Sequence, residues 1–426
     1  MKRERLMILV GLAVFLIGSC VAVIATAADQ PSSGFIYGKV KTRVGKTYTG
    51  VIRWGNEEAF WDDHFNANKK DLPYLKYHED GEGDRRSHGL EIFGRRLLVD
   101  LGVDSRLLTL RFGDLRSLRV EGSDEATLVL KNGTEIEVEG GSNDLGATLH
   151  VHDDSVGDIE IPWRKLDLVE FLPTPESVKP EGRRLWGTVA TEDGEFSGYI
   201  QWDKQECLSI DRLDGESEDG DMSIEMGRIK SIERRGRRGA RLTLRDGRSL
   251  ELEDTNDVDS SNRGIMVEDE RFGRVVVPWG SFEKLNLRDD KGSGHGYADF
   301  PACAPLFGTV TDDEGVKHSG RIVFDLDEEE GCEVLNGSHE DIEYNIPFDM
   351  IASIAPRGDD EAVVTLRGGA ELTLEDSQDV SDRNDGVLVF ANKARRPVYV
   401  RWDDIRRIDL DWRARRTPVE AEDSAK

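Results

Sequence analysis

The sequence predicts an all-β fold: three tandem modules, each a small β-barrel or sandwich built from two β-rich halves. Three observations lead there. One strand pattern recurs three times along the chain, tight-turn signals sit between apolar runs, and no window longer than a couple of turns shows a helical apolar period.

The openings of the repeats align as strand, polar turn, strand. Gly38-Lys39-Val40 leads to Tyr48-Thr49-Gly50-Val51-Ile52-Arg53-Trp54, and Gly187-Thr188-Val189 leads to Phe196-Ser197-Gly198-Tyr199-Ile200-Gln201-Trp202. Gly308-Thr309-Val310 leads to His318-Ser319-Gly320-Arg321-Ile322-Val323-Phe324. Each second strand closes on an aromatic residue.

The back halves agree more closely. Leu128-Val129-Leu130-Lys131-Asn132-Gly133, Leu242-Thr243-Leu244-Arg245-Asp246-Gly247 and Val364-Thr365-Leu366-Arg367-Gly368-Gly369 each end on a hairpin signal. Asn-Gly and Asp-Gly suit the positive φ values of two-residue hairpin turns. A second strand, a polar loop and another strand follow, and each repeat ends on a tryptophan: Trp163, Trp279 and Trp402.

Spacing then fixes the divisions. Gly187 to Gly308 is 121 positions, Asp257 to Asp379 is 122 and Trp279 to Trp402 is 123. Between repeats one and two, the opening glycines (Gly38, Gly187) lie 149 apart but the hairpin glycines (Gly133, Gly247) only 114. The extra 35 residues are an insertion in the first repeat, at about 63–106. The modules are therefore expected at 34–172, 185–288 and 306–412, with proline- and glycine-bearing linkers between them and a charged, disordered tail at 413–426.

The first residues read as an export signal. Lys2, Arg3 and Arg5 form a positive start, Leu6 to Ile24 is apolar, and Ala25-Thr26-Ala27 offers the small-x-small pattern of a cleavage site. Residues 1–27 are thus expected to be removed, giving a periplasmic or secreted protein. Two alternatives stand beside this: an uncleaved inner-membrane anchor at 6–24, or a lipoprotein made by cutting before Cys20 in Ile17-Gly18-Ser19-Cys20.

With Cys20 in the signal, Cys207, Cys303 and Cys332 remain. An odd number cannot form a closed framework; Cys303 and Cys332 lie in the same repeat and could pair, which would leave Cys207 free and buried, but the sequence leaves their disulfide state open. The formal net charge is −28. Such a polyanion repels phosphate backbones, so nucleic acid is not expected as a partner. Cations, basic partners and neutral glycans remain, as does the simpler use of charge for solubility.

The front half of each repeat resembles small barrels of the Sm or SH3-like kind, where a Gly precedes a strand running into an Asp, as from Gly198 to Asp203. The likeness spans about 40 residues per repeat and implies a small closed barrel. The Sm family's RNA-binding loop residues have no counterpart. As a whole the pattern looks like uncharacterised exported bacterial β-repeat proteins.

Four groups of residues are candidates for chemistry. Acidic residues recur at the front-half corner: Glu57/Glu58 with Asp62, Asp203/Glu206 with Asp211, and Asp325 with Glu328/Glu329/Glu330. The loops carrying Asp257, Asp259 and Asn262, and Asp379 and Asp382, offer further oxygens for Ca²⁺, although the EF-hand spacing is not met. Turn capping accounts for the same residues without an ion. His150 and His152 share one strand face and could hold a transition metal, against the alternative of ordinary surface histidines. Trp163, Trp279 and Trp402 serve either as sugar-stacking platforms or, as their Val/Ile-rich surroundings favour, as core plugs. No catalytic motif is present. The reading is a non-enzymatic binding or structural protein without a required cofactor, its ligand a polymer or protein; the alternatives are carbohydrate or peptidoglycan binding, Ca²⁺-dependent adhesion, or hydrolysis.

Overall fold

The computed structural model describes residues 32–79, 91–92, 95–96 and 106–412, apart from 141, 143, 154, 290 and 392–395. The expected export signal, Cys20, the alternative anchor at 6–24, most of the insertion and the tail lie outside these residues. Among the described residues no helix is long and apolar enough to cross a membrane.

The chain is all-β and antiparallel, with two large sheets, but the predicted barrels are not formed. The first sheet has ten strands. It starts with Gly157–Pro162, Thr148–Asp153, Thr47–Trp54, Tyr37–Thr42 and Leu166–Phe171, and continues through Leu115–Val120, Glu125–Leu130, Glu135–Glu139, His64–Lys69 and Arg106–Arg111. Its two ends do not pair, so it stays open.

The second sheet has twenty strands and corrects the expectation of separate modules. Repeats two and three each reproduce the strand order of the first sheet, and Gly273–Val277 of the second pairs with Ile342–Pro347 of the third through Val275↔Tyr344. Each strand covers backbone groups the other would leave unpaired at an edge. The core is continuous across this seam: Phe196 and Phe272 both meet the Tyr344 ring edge-on, at 6.2 and 6.0 Å. Hairpin signals report only neighbouring strands, whereas closure depends on which distant edges meet. That is why the local pattern suggested barrels.

The insertion lengthens one hairpin. Arg212–Ser217 and Gly220–Glu225 of the second repeat join through a tight turn, while the equivalent His64–Lys69 and Arg106–Arg111 enclose the extra residues.

Two recurrent features come from close approach and from buried indoles. A Cβ added to Gly50, Gly198 or Gly320 would lie 1.8, 1.9 or 2.2 Å from the carbonyl oxygen of His152, Glu268 or Phe390 on the paired strand, so only glycine fits. Trp54 and Trp202, fully buried, each donate Nε1–H at 2.9 Å to a loop carbonyl, of Asp144 and Asp257 respectively. The indoles thus fasten the acidic loops of the first two repeats to the core.

Candidate functional site

Each repeat turns its chain after the second strand in the same way. The carboxylate of Asp63 accepts the N–H groups of Ala59 and Phe60, at 2.7 and 2.8 Å. Asp211 does the same for Cys207 and Leu208, both at 2.9 Å. Glu333 does it for Glu329 and Glu330, at 2.7 and 2.8 Å. Of the corner acids read from the sequence, Asp211 caps this turn, whereas Asp63 and Glu333, one and three positions beyond Asp62 and Glu330, cap it in the first and third repeats.

The same carboxylates receive cations from other repeats. Arg274 reaches Asp63 at 3.1 Å, Arg53 reaches Asp211 at 2.9 Å, and Lys69 reaches Glu333 at 2.5 Å. Arg184 adds a further pair with Asp62 at 2.7 Å, its guanidinium lying between the Phe60 and Tyr199 rings at 4.1 and 4.0 Å. Buried charges need such partners. The corner acids therefore join the repeats to one another.

Beside each corner lies a second, deeper set of carboxylates. The loop acids Asp144, Asp257 and Asp379 each accept one backbone N–H, from Asn66, Asp214 and Asn336, at 2.7, 2.6 and 2.7 Å. Each stands near a buried glutamate of the corner: Glu58, Glu206 or Glu328.

In the second repeat, Asp203, Glu206 and Asp257 present oxygens within 4.8 Å of one another. Asp203 and Lys204 take left-handed φ values of 50° and 56°, which turns Asp203 back toward the loop. Its carboxylate is taken up by Asn256 Nδ2 at 2.5 Å and by the Arg263 guanidinium at 3.0 Å. Glu206 is only 7% exposed, and its Oε2 has no hydrogen-bond partner. Burial, with Asp257 and Asp203 nearby, pushes its carboxyl up to about 8, and burial lifts Asp257 to about 6. Glu206 and Asp257 line a cavity of about 670 Å³ with Gln205, Asp214, Asn256 and, from the first repeat, His150.

In the third repeat Asp325, Asp327 and Glu328 converge, with Asp327 at the position held by Gln205 in the second. There the first repeat supplies the neutralising charge: Arg106 Nη1 lies 2.8 Å from Asp325, and Lys69 Nζ lies 3.2 Å from Asp327. A third grouping, Asp114 with Cys303 and Cys332, is closed to metal because the two sulfurs form a disulfide. Cys207 is free and buried.

A groove of about 610 Å³ runs between the first and third repeats. Nine carboxylates line it against three cations, Lys69, Lys70 and Arg119. Glu330 is among its withdrawn acids, 5% exposed. Its Oε1 accepts from Thr134 Oγ1 at 2.9 Å and Asn132 Nδ2 at 3.0 Å, while Oε2 has no donor.

The residues singled out in the sequence fall as follows. Asp257 meets the corner acids Asp203 and Glu206, a meeting that linear spacing did not reveal. Asp259 accepts the N–H of its neighbour Ser261 at 2.7 Å, and Asn262 Oδ1 accepts that of Gly264 at 2.9 Å. Both close an Asx turn. Asp379 pins the third-repeat loop, and Asp382 lies on that loop, its N–H bonded to the Asp359 carbonyl at 2.6 Å. His150 and His152 stand opposite Glu160 and Asp158 across a hairpin, with His152 Nδ1 2.7 Å from Asp158. Trp163, Trp279 and Trp402 are 4%, 3% and 3% exposed, which leaves no face for a sugar to stack on.

Residues missed in the sequence are Arg106, Arg184, Arg274 and Lys69. Arg274 sits inside a Val-rich strand, where a lone cation among apolar residues was the available signal. The chain matches no protein-family model, no curated protein and no solved structure.

Proposed function

We propose that this chain is a non-enzymatic binding protein of the periplasm or the cell exterior that holds a lysine- or arginine-bearing segment of a protein partner in its acidic groove. The observation that carries this reading is Glu330, a nearly buried carboxylate in the groove with one oxygen lacking a donor. An ammonium or guanidinium supplies that missing donor. Nine carboxylates against three cations leave a formal excess of six negative charges for further basic residues. Tyr74, Pro73 and Ile136 give the long stem of a basic side chain an apolar wall. The positive, apolar, small-x-small order of the first residues supports export.

The test is fluorescence anisotropy with a labelled oligolysine peptide and its acetylated counterpart. Saturable binding of the first, and none of the second, is expected, with Glu330→Gln weakening it about tenfold or more. The exposed Glu192→Gln should leave it intact. Equal losses in both variants would reduce the effect to general surface charge and overturn the reading, as would unaltered binding by Glu330→Gln.

A further inference from the structure

Comparison of the three deep corners isolates a distinct site. All three place a glutamate beside a loop aspartate away from water, and they differ in what balances the charge. In the third repeat, Arg106 and Lys69 enter the corner, 5% and 7% exposed, and offset part of its charge from within the chain. In the first, Gly55 occupies the position of Asp203 and Glu57 that of Gln205, no trio of ligand oxygens converges among the described residues, and Arg274 acts on Glu58. In the second, three carboxylates converge, and Arg263, 41% exposed, grips only the Asp203 side. The charged groups that act most strongly on Glu206 are all acidic: Asp257, Asp203 and Asp211. Glu206 Oε2 is buried without a donor, and the residue lines a cavity.

We propose that Asp203, Glu206 and Asp257 bind a hard divalent cation, Ca²⁺ foremost, taken in through the cavity that Glu206 and Asp257 line. The donor set is all oxygen, which suits Ca²⁺ over softer metals. Ca²⁺ takes about six to eight oxygens, so three carboxylates need supplementing. Asn256, Gln205 and Asp214 lie around the cavity, and water completes the shell. The cation does for the second repeat what Arg106 and Lys69 do for the third. This site is separate from the acidic groove and does not depend on it.

The experiment is calorimetric titration of the EDTA-treated full chain with CaCl₂ and with MgCl₂. One saturable Ca²⁺ site per chain is expected, and Glu206→Gln should weaken it by about tenfold or more. Glu328→Gln, in the corner already filled by Lys69 and Arg106, should leave it unchanged. No Ca²⁺ binding, binding undiminished in Glu206→Gln, or binding lost in Glu328→Gln would each overturn the assignment. Should Glu206→Gln not fold, Tb³⁺ luminescence excited through tryptophan decides. The Trp202 indole bonds the Asp257 carbonyl, so Trp202→Phe should remove most of the sensitised emission, and full emission from that variant would place the ion elsewhere.

Discussion

Asp63 and Arg274 meet at 3.1 Å between the first and second repeats, with side chains only 4% and 6% exposed. The same Asp63 caps its own turn through the N–H groups of Ala59 and Phe60. One carboxylate thus shapes a corner and holds a neighbour. The second repeat returns the contact through Asp211 and Arg53.

Removing the cation from this arrangement leaves Asp63 buried without its ion-pair partner, with Arg184 and the two capping N–H groups alone to offset its charge. Arg274→Met is expected to cost about 3–5 kcal/mol of stability in denaturant unfolding. Asp63→Asn combined with it should cost much less than the sum of the two single changes, because the second change removes the stranded charge. Additive losses would show that the pair is not energetically coupled.

The close-approach glycines give a second expectation. A Cβ at Gly198 would stand 1.9 Å from the Glu268 carbonyl oxygen, and backbone cannot yield as a side-chain tip does. Gly198→Ala should therefore destabilise the second repeat by roughly 1–3 kcal/mol or more. The same change at Gly247, whose added Cβ would meet nothing within 4 Å, serves as a comparison that tests only its positive φ of 91°. Comparable melting temperatures for Gly198→Ala and the parent would refute the steric account.

These glycines also show what the sequence could and could not reveal. The hairpins, the recurring Gly and the terminal Trp were legible because each answers to a local rule: a positive φ, a close strand, an indole that must be buried. The seam through Val275 and Tyr344 was not, since an edge strand carries no mark of which distant edge it meets. The deep corners were half legible. Asp203/Glu206 and Asp257 both stood out, but about fifty residues separate them, and strand pairing such as that of Gly194–Gln201 with Ile265–Asp269 draws their loops together. Arg274 left only a lone cation in a Val-rich strand, and Arg106 was hidden because a charge that crosses to another repeat has no periodic signature in its own.

Cys303 and Cys332 close a 29-residue separation that begins in the linker before the third repeat. Both sulfurs pack into the first repeat's core, alongside Phe300. The bond thus limits the freedom of the unfolded linker while fixing it against that core. Loop-closure entropy alone gives about 3–4 kcal/mol for a loop of this size. A Cys303→Ala/Cys332→Ala double variant should lose stability of that order, and reductant should change the parent's unfolding midpoint but not the variant's. A parent indifferent to reductant under unfolding conditions would contradict this.

Glu268 supplies the pH dependence. It shares Arg274 and Arg184 with Asp62 and Asp63, so three acids face two buried cations. Burial, opposed by Arg274, leaves the Glu268 carboxyl raised to about 7 from the 4.5 of an ordinary glutamate. The folded chain then holds a proton that the unfolded chain releases at lower pH. Its contribution to stability is complete below about pH 4.5 and is lost as pH rises through about 7. Unfolding in urea at pH values from about 5 to about 8 should show this decline, amounting to a few kcal/mol. Glu268→Gln keeps a neutral amide in place of the protonated acid, so it should flatten the slope above about pH 5. A slope equally steep in Glu268→Gln would assign the proton to another member of the cluster.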